Sequence, residues 1–446
     1  MLFKLIRSGS LGLALLAGTP AGAQSLTLTV TEVRSTAGRV VAALCGDSTV
    51  PFPGLCMTAS AMTDAQLGET TLVFNDIPDG TYALQVFHDE NSDMIPQIPP
   101  EGFAFGNNAP FPPSFADAAL RISGETRGDV KMTYLAAPAV ISHAASAPKA
   151  VPAPAGVRRT LLRDEGLVGD FYMPAGGGDR PALLVLGGSE GGSAASSQIG
   201  AQFAQEGYAV LALAYFLDDG LPQSLETIPL EYFDRAIAWL RRQAGVNPDR
   251  VGVIGGSRGS EAALLLASRN PYVKAVMVFS PSGVVWQGLD FENPLDPGPA
   301  WTLGGDSLPF RTPDVSKYRA GGAMRPMFEA ALGGIDLPDT EIPVERIRGP
   351  ILLISGQDDA LWPSSSMAEK IMTRLRAKDF GYHARHLTYE GAGHAVFIGN
   401  PAGPGIEAGA EATANPVFGG TVSGNLAAWR QNWPESLAFF YASLKE

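Results

Sequence analysis

Apolar and polar residues alternate in short segments along the first third of the chain. Such segments are LTLTVTEV (26–33), RVVAALC (39–45) and TLVFNDIPDGTYALQVFHDE (71–90), and the last holds two segments around a Pro-Asp-Gly turn. Short apolar segments separated by turn residues are typical of half-buried strands. The segment ALRISGETRGDVKMTYL (119–135) is expected to form a closing hairpin. The pattern therefore predicts a small all-β sandwich over residues 24–135.

A different pattern begins near residue 180, where uninterrupted apolar runs alternate with helical segments. The runs are ALLVLGG (182–188), YAVLALAYF (208–216), RVGVIGG (250–256), VKAVMVFSPS (273–282) and GPILLISGQDD (349–359). The helical segments are SQIGAQFAQEG (197–207), LEYFDRAIAWLRRQAG (230–245) and SEAALLLASR (260–269). Uninterrupted apolar runs indicate strands buried on both faces, and their alternation with helices predicts a mostly parallel α/β sheet. Ligands bind such sheets at the carboxyl ends of the strands.

Composition divides the chain further. Residues 136–156 are rich in alanine and proline and lack an amphipathic period, which is typical of an extended linker. Residues 157–446 form the predicted α/β domain, and a proline- and glycine-rich insertion at 284–348 interrupts its alternation. An insertion this long often caps a site, so Trp286, Trp301 and Phe310 are candidate substrate contacts. The alternative is a surface excursion that packs its own aromatic residues.

The N-terminus has the features of an export signal. Lys4 and Arg7 precede the apolar stretch LGLALLAG, and Ala21-Gly22-Ala23 offers small residues for cleavage. The stretch is shorter than the ~20 residues that span a bilayer. We therefore expect a signal peptide at 1–23, no membrane span, and a periplasmic or secreted mature protein. Cys45 and Cys56 are the only cysteines, and an oxidising compartment favours a disulfide between them.

The net charge of the chain excludes two classes of partner. The formal net charge is −13 without any basic run, so nucleic acid and anionic membrane surfaces are not expected partners.

Asp89, Asn91 and Asp93 have the alternating spacing of a calcium loop, but Met94 and Pro100 occupy the positions where an EF-hand needs glycine and an acid. A solvated turn is favoured, and neither a metal nor a cofactor is expected. The sequence does not indicate protein partners.

Ser257 lies in the motif Gly-Gly-Ser-Arg-Gly (255–259), directly after the strand VGVI and directly before the helix EAALLLAS. A G-x-S-x-G motif in a strand–turn–helix context predicts a nucleophile elbow. Its glycines leave room for the sharp turn, and the helix directs its positive end at the site. No lysine follows the glycines as a P-loop requires, and the dinucleotide fingerprint is absent.

A nucleophilic serine needs a base, and the base in turn needs an orienting acid. His394 stands on a loop just past a strand, whereas His383 and His386 lie at or within that strand, where packing roles are usual. Asp358 and Asp359 follow the strand ILLISG, and we favour Asp359 while keeping Asp358 as the alternative. The order Ser, Asp, His is that of the α/β-hydrolases, so the predicted fold class is an α/β-hydrolase with a mostly parallel sheet and a capping insertion.

An oxyanion hole requires two backbone N–H groups. One is expected from Arg258, the residue after the nucleophile. The other is expected from the loop after the strand ALLVL, where Gly188, Ser189 and Glu190 are candidates.

From Pro181 to the end, the chain resembles the C-terminal catalytic domain shared by acyl-CoA thioester hydrolases and bile-acid-CoA:amino-acid N-acyltransferases, a dienelactone-hydrolase-like branch. The shared motifs are LGGSEGG, VGVIGGSRGSEAALLLAS, PAWTLGG, IPVERIRGPILLISGQDDALWPS, YEGAGHAVF and FGGTVSGNLAAWRQNWPESLAFF. The resemblance implies a charge relay of Ser257, the Asp358/Asp359 pair and His394. It also implies hydrolysis, because serine is the nucleophile of the hydrolases and cysteine that of the acyltransferase. This chain differs from the family at the position after the nucleophile, where Arg258 stands in place of the more familiar lysine.

The N-terminal region resembles a different family, an uncharacterised group of secreted bacterial β-domains, through DGTYALQVFHDENSD (79–93). An exported protein has no ready supply of acyl-CoA. We therefore expect an exported serine hydrolase that cleaves a small-molecule carboxylic ester or thioester through an acyl-enzyme. An acyl-CoA thioesterase or acyltransferase is the alternative within the family. A non-catalytic binding protein on a hydrolase scaffold is the alternative of another class.

Overall fold

The computed structural model describes residues 24–46, 48, 52, 58–90, 101–110, 113–134, 151–290, 297–317, 323–334, 337–402 and 406–445. The chain divides into two compact units, residues 1–136 and 137–446. The predicted signal peptide and residues 136–150 of the predicted linker lie outside the described residues, so both remain predictions.

The N-terminal unit is built from strands. They are β1 (Gln24–Val33), β2 (Arg39–Cys45), β3 (Ala59–Asp64), β4 (Gly68–Ile77), β5 (Gly80–Asp89), β6 (Gly102–Phe105), β7 (Ala119–Ile122), β8 (Glu125–Lys131) and β9 (Thr133–Tyr134). One sheet has the order β4-β1-β8, and the other has the order β3-β2-β5-β6-β9 with β7 beside β5. Leu28 and Phe74 of the first sheet share a core with Leu44 and Leu84 of the second. The predicted all-β region is therefore a two-sheet sandwich.

The predicted closing hairpin at 119–135 is wrong. β7 pairs with β5, whereas β8 runs parallel to β1 in the other sheet. Gly124 (φ 64°) lies in the turn between the two strands, and Ile122 and Val130 on either side both enter the shared core. Alternating polarity identifies each strand but does not identify the strand with which it pairs.

The C-terminal unit alternates strands with helices. Its strands are β10 (Val157–Asp164), β11 (Leu167–Pro174), β12 (Arg180–Leu186), β13 (Ala209–Ala214), β14 (Ile228–Pro229), β15 (Val246–Gly256), β16 (Val273–Phe279), β17 (Trp301–Leu303), β18 (Asp306–Ser307), β19 (Ile351–Gly356) and β20 (Ala384–Tyr389). Its helices are α1 (Ala194–Gln205), α2 (Leu230–Arg241), α3 (Arg258–Arg269), α4 (Arg325–Gly333), α5 (Ser364–Ala377), α6 (Ile406–Thr413) and α7 (Val422–Leu444).

The main sheet of this unit has eight strands in the order β10-β11-β13-β12-β15-β16-β19-β20. The strands from β13 to β20 are parallel, and β10 and β11 add an antiparallel edge. Leu184 faces a core shared with α2, α3 and α5, and Leu183 faces a core shared with α1 and α7. Both faces are covered, which explains the uninterrupted apolar runs. The fold is an α/β-hydrolase, as predicted.

The insertion between β16 and β19 contains β17, β18 and α4. β17 pairs with β14 in a small separate sheet. Leu289 and Met324 of the insertion border the cavity described below, so the insertion caps part of the site. Within the described ranges, none of the helices combines the length and apolar character needed to cross a membrane.

Candidate active site

Ser257 occupies the sharp turn between β15 and α3. Its backbone has φ 51° and ψ −120°, a conformation that is strained for any residue other than glycine. The flanking glycines are required by close approach: a Cβ on Gly259 would lie 2.2 Å from the Gly187 carbonyl oxygen, and a Cβ on Gly255 would lie 2.2 Å from that of Gly259. The turn is thus packed against the loop after β12, and Ser257 borders the cavity together with that loop.

His394 meets this serine from the loop that follows β20. Its Nε2 lies 3.0 Å from Ser257 Oγ, and its Nδ1 lies 2.9 Å from Asp359 Oδ2 and 3.1 Å from Asp359 Oδ1. An ionised carboxylate can only accept hydrogen bonds, so Nδ1 carries the proton and Nε2 accepts from the serine hydroxyl. This tautomer is the one in which histidine can remove the serine proton.

The two adjacent aspartates occupy different environments. Asp359 is 1% exposed, and its carboxylate accepts hydrogen bonds from the N–H groups of Leu361 (3.0 Å) and Trp362 (3.2 Å) and from Ser364 Oγ (2.5 Å). Asp358 is exposed, and its backbone bonds to Ala392. The structure therefore brings the favoured Asp359 to His394 and leaves the alternative outside.

The histidine loop is held on several sides. The His394 N–H donates to the Phe418 carbonyl at 2.7 Å, and the Phe418 ring stacks on the imidazole with an interplanar angle of 13°. Trp362 packs edge-on against the imidazole, and Ser280 Oγ donates to the His394 carbonyl. These contacts fix the plane of the ring, which a proton shuttle requires.

The predicted oxyanion donors differ in availability. Arg258 begins α3, and the first N–H groups of a helix have no acceptor within it. The Gly188 N–H donates to Glu190 Oε1 at 2.8 Å, so the carboxylate already uses this donor. Ser189 borders the same cavity. Tyr215 supports the loop by donating to the Gly187 carbonyl at 2.7 Å, and burial raises the pKa of its phenol well above the ordinary range.

A cavity of about 470 Å³ opens beside Ser257 and His394. Its walls are mainly apolar and come from several parts of the unit, as shown by Ile199, Leu289, Met324, Leu361, Phe397 and Val417. Among the described residues that line it, Glu190 is the one that carries a formal charge besides the titratable His394. The cavity can therefore hold an apolar group next to the serine.

The predicted substrate contacts in the insertion are corrected. Trp286 and Trp301 are fully buried, Phe310 packs against the core, and none of the three lines the cavity. Trp286 packs edge-on against Phe328. Trp301 packs among aromatic residues of the core that include Phe233. These aromatic side chains anchor the insertion, because large apolar groups in a proline-rich segment gain more from burial than from exposure at a cavity mouth.

Sequence reasoning missed a buried ion pair directly behind the turn. Arg258 Nε lies 3.2 Å from Glu261 Oε1, and both side chains are almost completely buried. Burial raises the pKa of Glu261 to about 6, although the Arg258 charge and hydrogen bonds from Trp301 and Trp286 act in the opposite direction. The segment VGVIGGSRGSEAALLLAS contains both residues, and a charge pair spaced i, i+3 in an otherwise apolar helix was the available signal.

The remaining predicted sites lie in the N-terminal unit. Cys45 is buried in β2, but Cys56 lies outside the described residues, so the disulfide stays a prediction. Asp89 is buried at the end of β5, and Asn91 and Asp93 lie outside the described residues. The calcium hypothesis therefore remains untested.

Residues 228–446 match the family described as "BAAT / Acyl-CoA thioester hydrolase C terminal". The predicted resemblance is confirmed. Residues 28–129 match a family described as an uncharacterized protein conserved in bacteria. The C-terminal region is an α/β-hydrolase related to the acyl-CoA thioesterases, and the BAAT match begins at the strand before α2 and includes Ser257, Asp359 and His394.

Two relatives of the BAAT and thioesterase group illustrate the similarity. Mitochondrial acyl-coenzyme A thioesterase 2 of Mus musculus is 30% identical over 296 residues, covering 65% of this chain and 61% of the relative. Acyl-coenzyme A amino acid N-acyltransferase 1 of Mus musculus is 30% identical over 295 residues, covering 64% of this chain and 65% of the relative. The chain thus spans less than two thirds of each of these relatives.

Solved structures are similar at lower identity. A putative dienelactone hydrolase from Klebsiella pneumoniae is 16% identical with a TM-score of 0.40, covering 64% of this chain and 97% of that one. The carboxylesterase EstE1 from a metagenomic library is 18% identical with a TM-score of 0.39, covering 66% of this chain and 90% of that one.

Proposed function

We propose that the C-terminal unit is a serine hydrolase that cleaves a carboxylic ester or thioester. Ser257 is the nucleophile, His394 the general base and acid, and Asp359 the residue that orients the imidazole. The observation that carries the proposal is the continuous hydrogen-bonded series from Ser257 Oγ through His394 to the buried Asp359 carboxylate, beside an apolar cavity.

The chemistry follows from the donors and acceptors present. His394 Nε2 accepts the hydroxyl proton as Ser257 Oγ bonds to the substrate carbonyl carbon. The resulting oxyanion is stabilised by the Arg258 N–H at the positive end of α3 and by the Ser189 N–H of the loop after β12, since the Gly188 N–H is bonded to Glu190. His394 then passes its proton to the leaving alcohol or thiol as the bond to carbon breaks. A water molecule then gives a proton to His394 Nε2 as its oxygen bonds to the acyl carbon, and His394 returns that proton to Ser257 Oγ as the ester bond breaks and the acid is released.

The cavity supports an apolar acyl group as substrate. Burial of a hydrocarbon chain against its apolar walls stabilises the complex by roughly 25 cal/mol for each Å² of apolar surface removed from water. Glu190 at the cavity disfavours an anionic group close to the serine. We therefore favour esters with uncharged leaving groups over the polyanionic thioesters of coenzyme A, which agrees with the predicted export of the protein.

A fluorophosphonate probe followed by peptide mapping tests the proposal. We expect the probe to label Ser257, and we expect Ser257→Ala to abolish labelling. A panel of p-nitrophenyl esters of increasing chain length, run beside acyl-CoA thioesters, identifies the substrate class. A folded protein that neither labels nor hydrolyses any member of the panel would contradict the hydrolase and favour the binding-protein alternative.

Hydrolysis of acyl-CoA is the second candidate, because relatives at 30% identity are described as acyl-coenzyme A thioesterases. Faster cleavage of acyl-CoA than of the matching p-nitrophenyl ester would favour it. Acyl transfer is distinguished by adding glycine as acceptor and analysing the product. The proposed export is tested separately, by sequencing the N-terminus of the mature protein in the cell envelope or medium, where Gln24 is expected as the first residue.

A further inference from the structure

The residue after the nucleophile has a side chain that the hydrolytic mechanism does not use. The Arg258 side chain is buried and does not line the cavity. One of its terminal nitrogens donates to the backbone carbonyls of Trp286 (3.2 Å) and Gln287 (2.8 Å), and its Nε pairs with Glu261. These contacts run from the first turn of α3 to the capping insertion.

Glu261 completes the same connection from one turn further along α3. Its Oε2 accepts hydrogen bonds from the Trp286 N–H and the Trp301 Nε1–H, both at 3.1 Å. The carboxylate is fully buried, and a buried carboxylate is costly unless it is paired and hydrogen-bonded. The ion pair therefore joins two separate points of the insertion to the helix that begins at the nucleophile.

The segment held by this pair continues directly to the cavity wall. Leu289, two residues after Gln287, borders the cavity beside Ser257. The Leu289 N–H donates to the Leu225 carbonyl, and the Gly288 N–H donates to the Gly298 carbonyl. The wall is thus a stretch of irregular backbone whose position depends on hydrogen bonds from neighbouring segments and from Arg258.

We propose that Arg258 and Glu261 are positioning residues that fix the cavity wall at Leu289 relative to Ser257, and that they thereby set the acyl-chain preference of the site. This inference rests on the proposed function, because a preference exists only if the site takes acyl groups. One residue then serves two parts of the reaction: its N–H faces the oxyanion, and its side chain holds the wall for the acyl chain.

Arginine is suited to this role and lysine is not. The planar guanidinium presents several N–H groups in fixed directions, so it can meet two carbonyls and a carboxylate at once. A lysine ammonium is a compact charge at the end of a flexible stem. Arg258→Lys should therefore keep the charge beside Glu261 while losing part of the hold on Trp286 and Gln287.

The matched control is another buried arginine of the same insertion. Arg311 Nε donates to Thr340 Oγ1 at 3.0 Å, and another of its nitrogens donates to the Ala331 carbonyl at 3.1 Å. These bonds lie within the insertion. The Arg311 backbone also bonds to Val285 and Gln287, and a substitution to lysine leaves those backbone bonds in place. Arg311→Lys therefore loosens side-chain bonds within the insertion while Arg258 and Glu261 keep their own bonds to it.

The test compares kcat/KM for p-nitrophenyl hexanoate and p-nitrophenyl acetate in the full-length protein. We expect Arg258→Lys to reduce the hexanoate-to-acetate ratio about tenfold, which corresponds to the loss of one or two well-placed methylene contacts. Leu289→Ala should reduce the ratio in the same direction, and Arg311→Lys should leave it unchanged. An unchanged ratio in folded Arg258→Lys, or an equal change in Arg311→Lys, would overturn the proposal.

Hydrogen exchange measured by mass spectrometry provides a readout that does not need activity. Peptides covering 284–289 should exchange faster in Arg258→Lys than in the wild type or in Arg311→Lys. If the wild type hydrolyses nothing, the proposed function fails while this measurement still decides whether the pair holds the wall. Glu261→Gln serves if Arg258→Lys does not fold, since it keeps the volume and one acceptor, and unchanged exchange in that variant would likewise refute the positioning role.

Discussion

The C-terminal unit contains two sets of serine, histidine and carboxylate that look alike by distance. In the first, His394 lies 3.0 Å from Ser257 Oγ and 2.9 Å from Asp359. In the second, His386 Nε2 lies 2.7 Å from Ser355 Oγ, and its Nδ1 lies 2.6 Å from Glu369 Oε1. The second set has the shorter contacts, yet its surroundings differ in every respect that matters for acyl transfer.

Access and charge stabilisation separate the two sets. Ser355 is fully buried within β19 and pairs in register with Thr388 of β20, whereas Ser257 stands on a turn beside the cavity. Ser257 also precedes a helix N-terminus, while a strand commits its N–H groups to the sheet. A hydrogen-bonded series of three residues is therefore insufficient: a nucleophile also needs room for a carbonyl carbon and donors for the oxyanion.

Replacement of each serine by alanine should give the largest difference in activity between the two sets. Ser257→Ala should lower kcat for the best ester about 10⁴- to 10⁶-fold, because the nucleophile and the base act as a unit. Ser355→Ala should change kcat by less than about threefold, since a buried strand residue reaches no substrate. Steady-state kinetics of both variants provide the measurement.

Circular dichroism of both variants controls for folding. A large loss in folded Ser355→Ala would mean that the second set supports the loop after β19 that carries Asp359, and the two sets would not be functionally separate.

The carboxylates provide the next test. Asp359→Asn should lower kcat about 10⁴-fold, because an amide that donates to the imidazole favours the wrong tautomer. Glu369→Gln should have little effect, since its side chain is 60% exposed and solvent can replace it. Asp358→Asn is the matched neighbour, and its kcat should stay within about threefold of the wild type because Asp358 is exposed. Loss of activity in Asp358→Asn but not in Asp359→Asn would reverse the assignment.

The sequence predicted the first set because each member follows its own strand. The elbow has a local signature in its glycines, and the loop position of His394 follows from the end of β20. The choice between Asp358 and Asp359 depends on which carboxylate turns toward the N–H groups of Leu361 and Trp362, and adjacent residues give no local sign of that direction. Only the three-dimensional path of the loop decides it.

Other features depend on partners that are distant in the chain. The set of Ser355, His386 and Glu369 draws on β19, β20 and α5, and no spacing rule links these residues. The antiparallel strands β10 and β11 were not predicted. β10 is rich in charged residues and mostly exposed, and Gly169 and Asp170 interrupt the apolar residues of the buried β11. The prediction that Trp286 and Trp301 contact the substrate was wrong, because aromatic composition does not show the direction in which a side chain points.

Gly259 of the nucleophile elbow allows a test of how tightly the turn is packed. A Cβ on Gly259 would lie 2.2 Å from a backbone oxygen that cannot move aside, so Gly259→Ala should cost about 1–3 kcal/mol of the free energy of unfolding or more. Gly177→Ala is the control, because no atom lies within 4 Å of the position that the alanine methyl group would take and the φ of Gly177 is not positive. Urea unfolding followed by tryptophan fluorescence measures both, since all six tryptophans lie in the C-terminal unit. Equal stability of the two variants would show that the turn can relax.

The carboxylates near the two sets also differ in their linkage to pH. Burial raises the pKa of Glu261 to about 6, above the value near 4.5 that applies to the exposed side chain of the unfolded chain. Between these values the folded state binds more protons than the unfolded state, so the contribution of Glu261 to stability is complete below about pH 4.5 and is lost as the pH rises through about 6. The loss should amount to roughly 2 kcal/mol, from 1.36 kcal/mol for each pKa unit.

Glu261→Gln removes this titration and isolates it from the other carboxylates. The free energy of unfolding of the variant, relative to that of the wild type, should increase by roughly 2 kcal/mol between about pH 4 and pH 7. Glu369→Gln, which alters the exposed carboxylate of the second set, should show a smaller change over the same range because solvent screens that group in both states. A difference between Glu261→Gln and the wild type that stays constant with pH would mean that Arg258 holds Glu261 ionised throughout. The pair would then act as a permanent ion pair between the nucleophile helix and the cavity wall, rather than one that acid conditions neutralise.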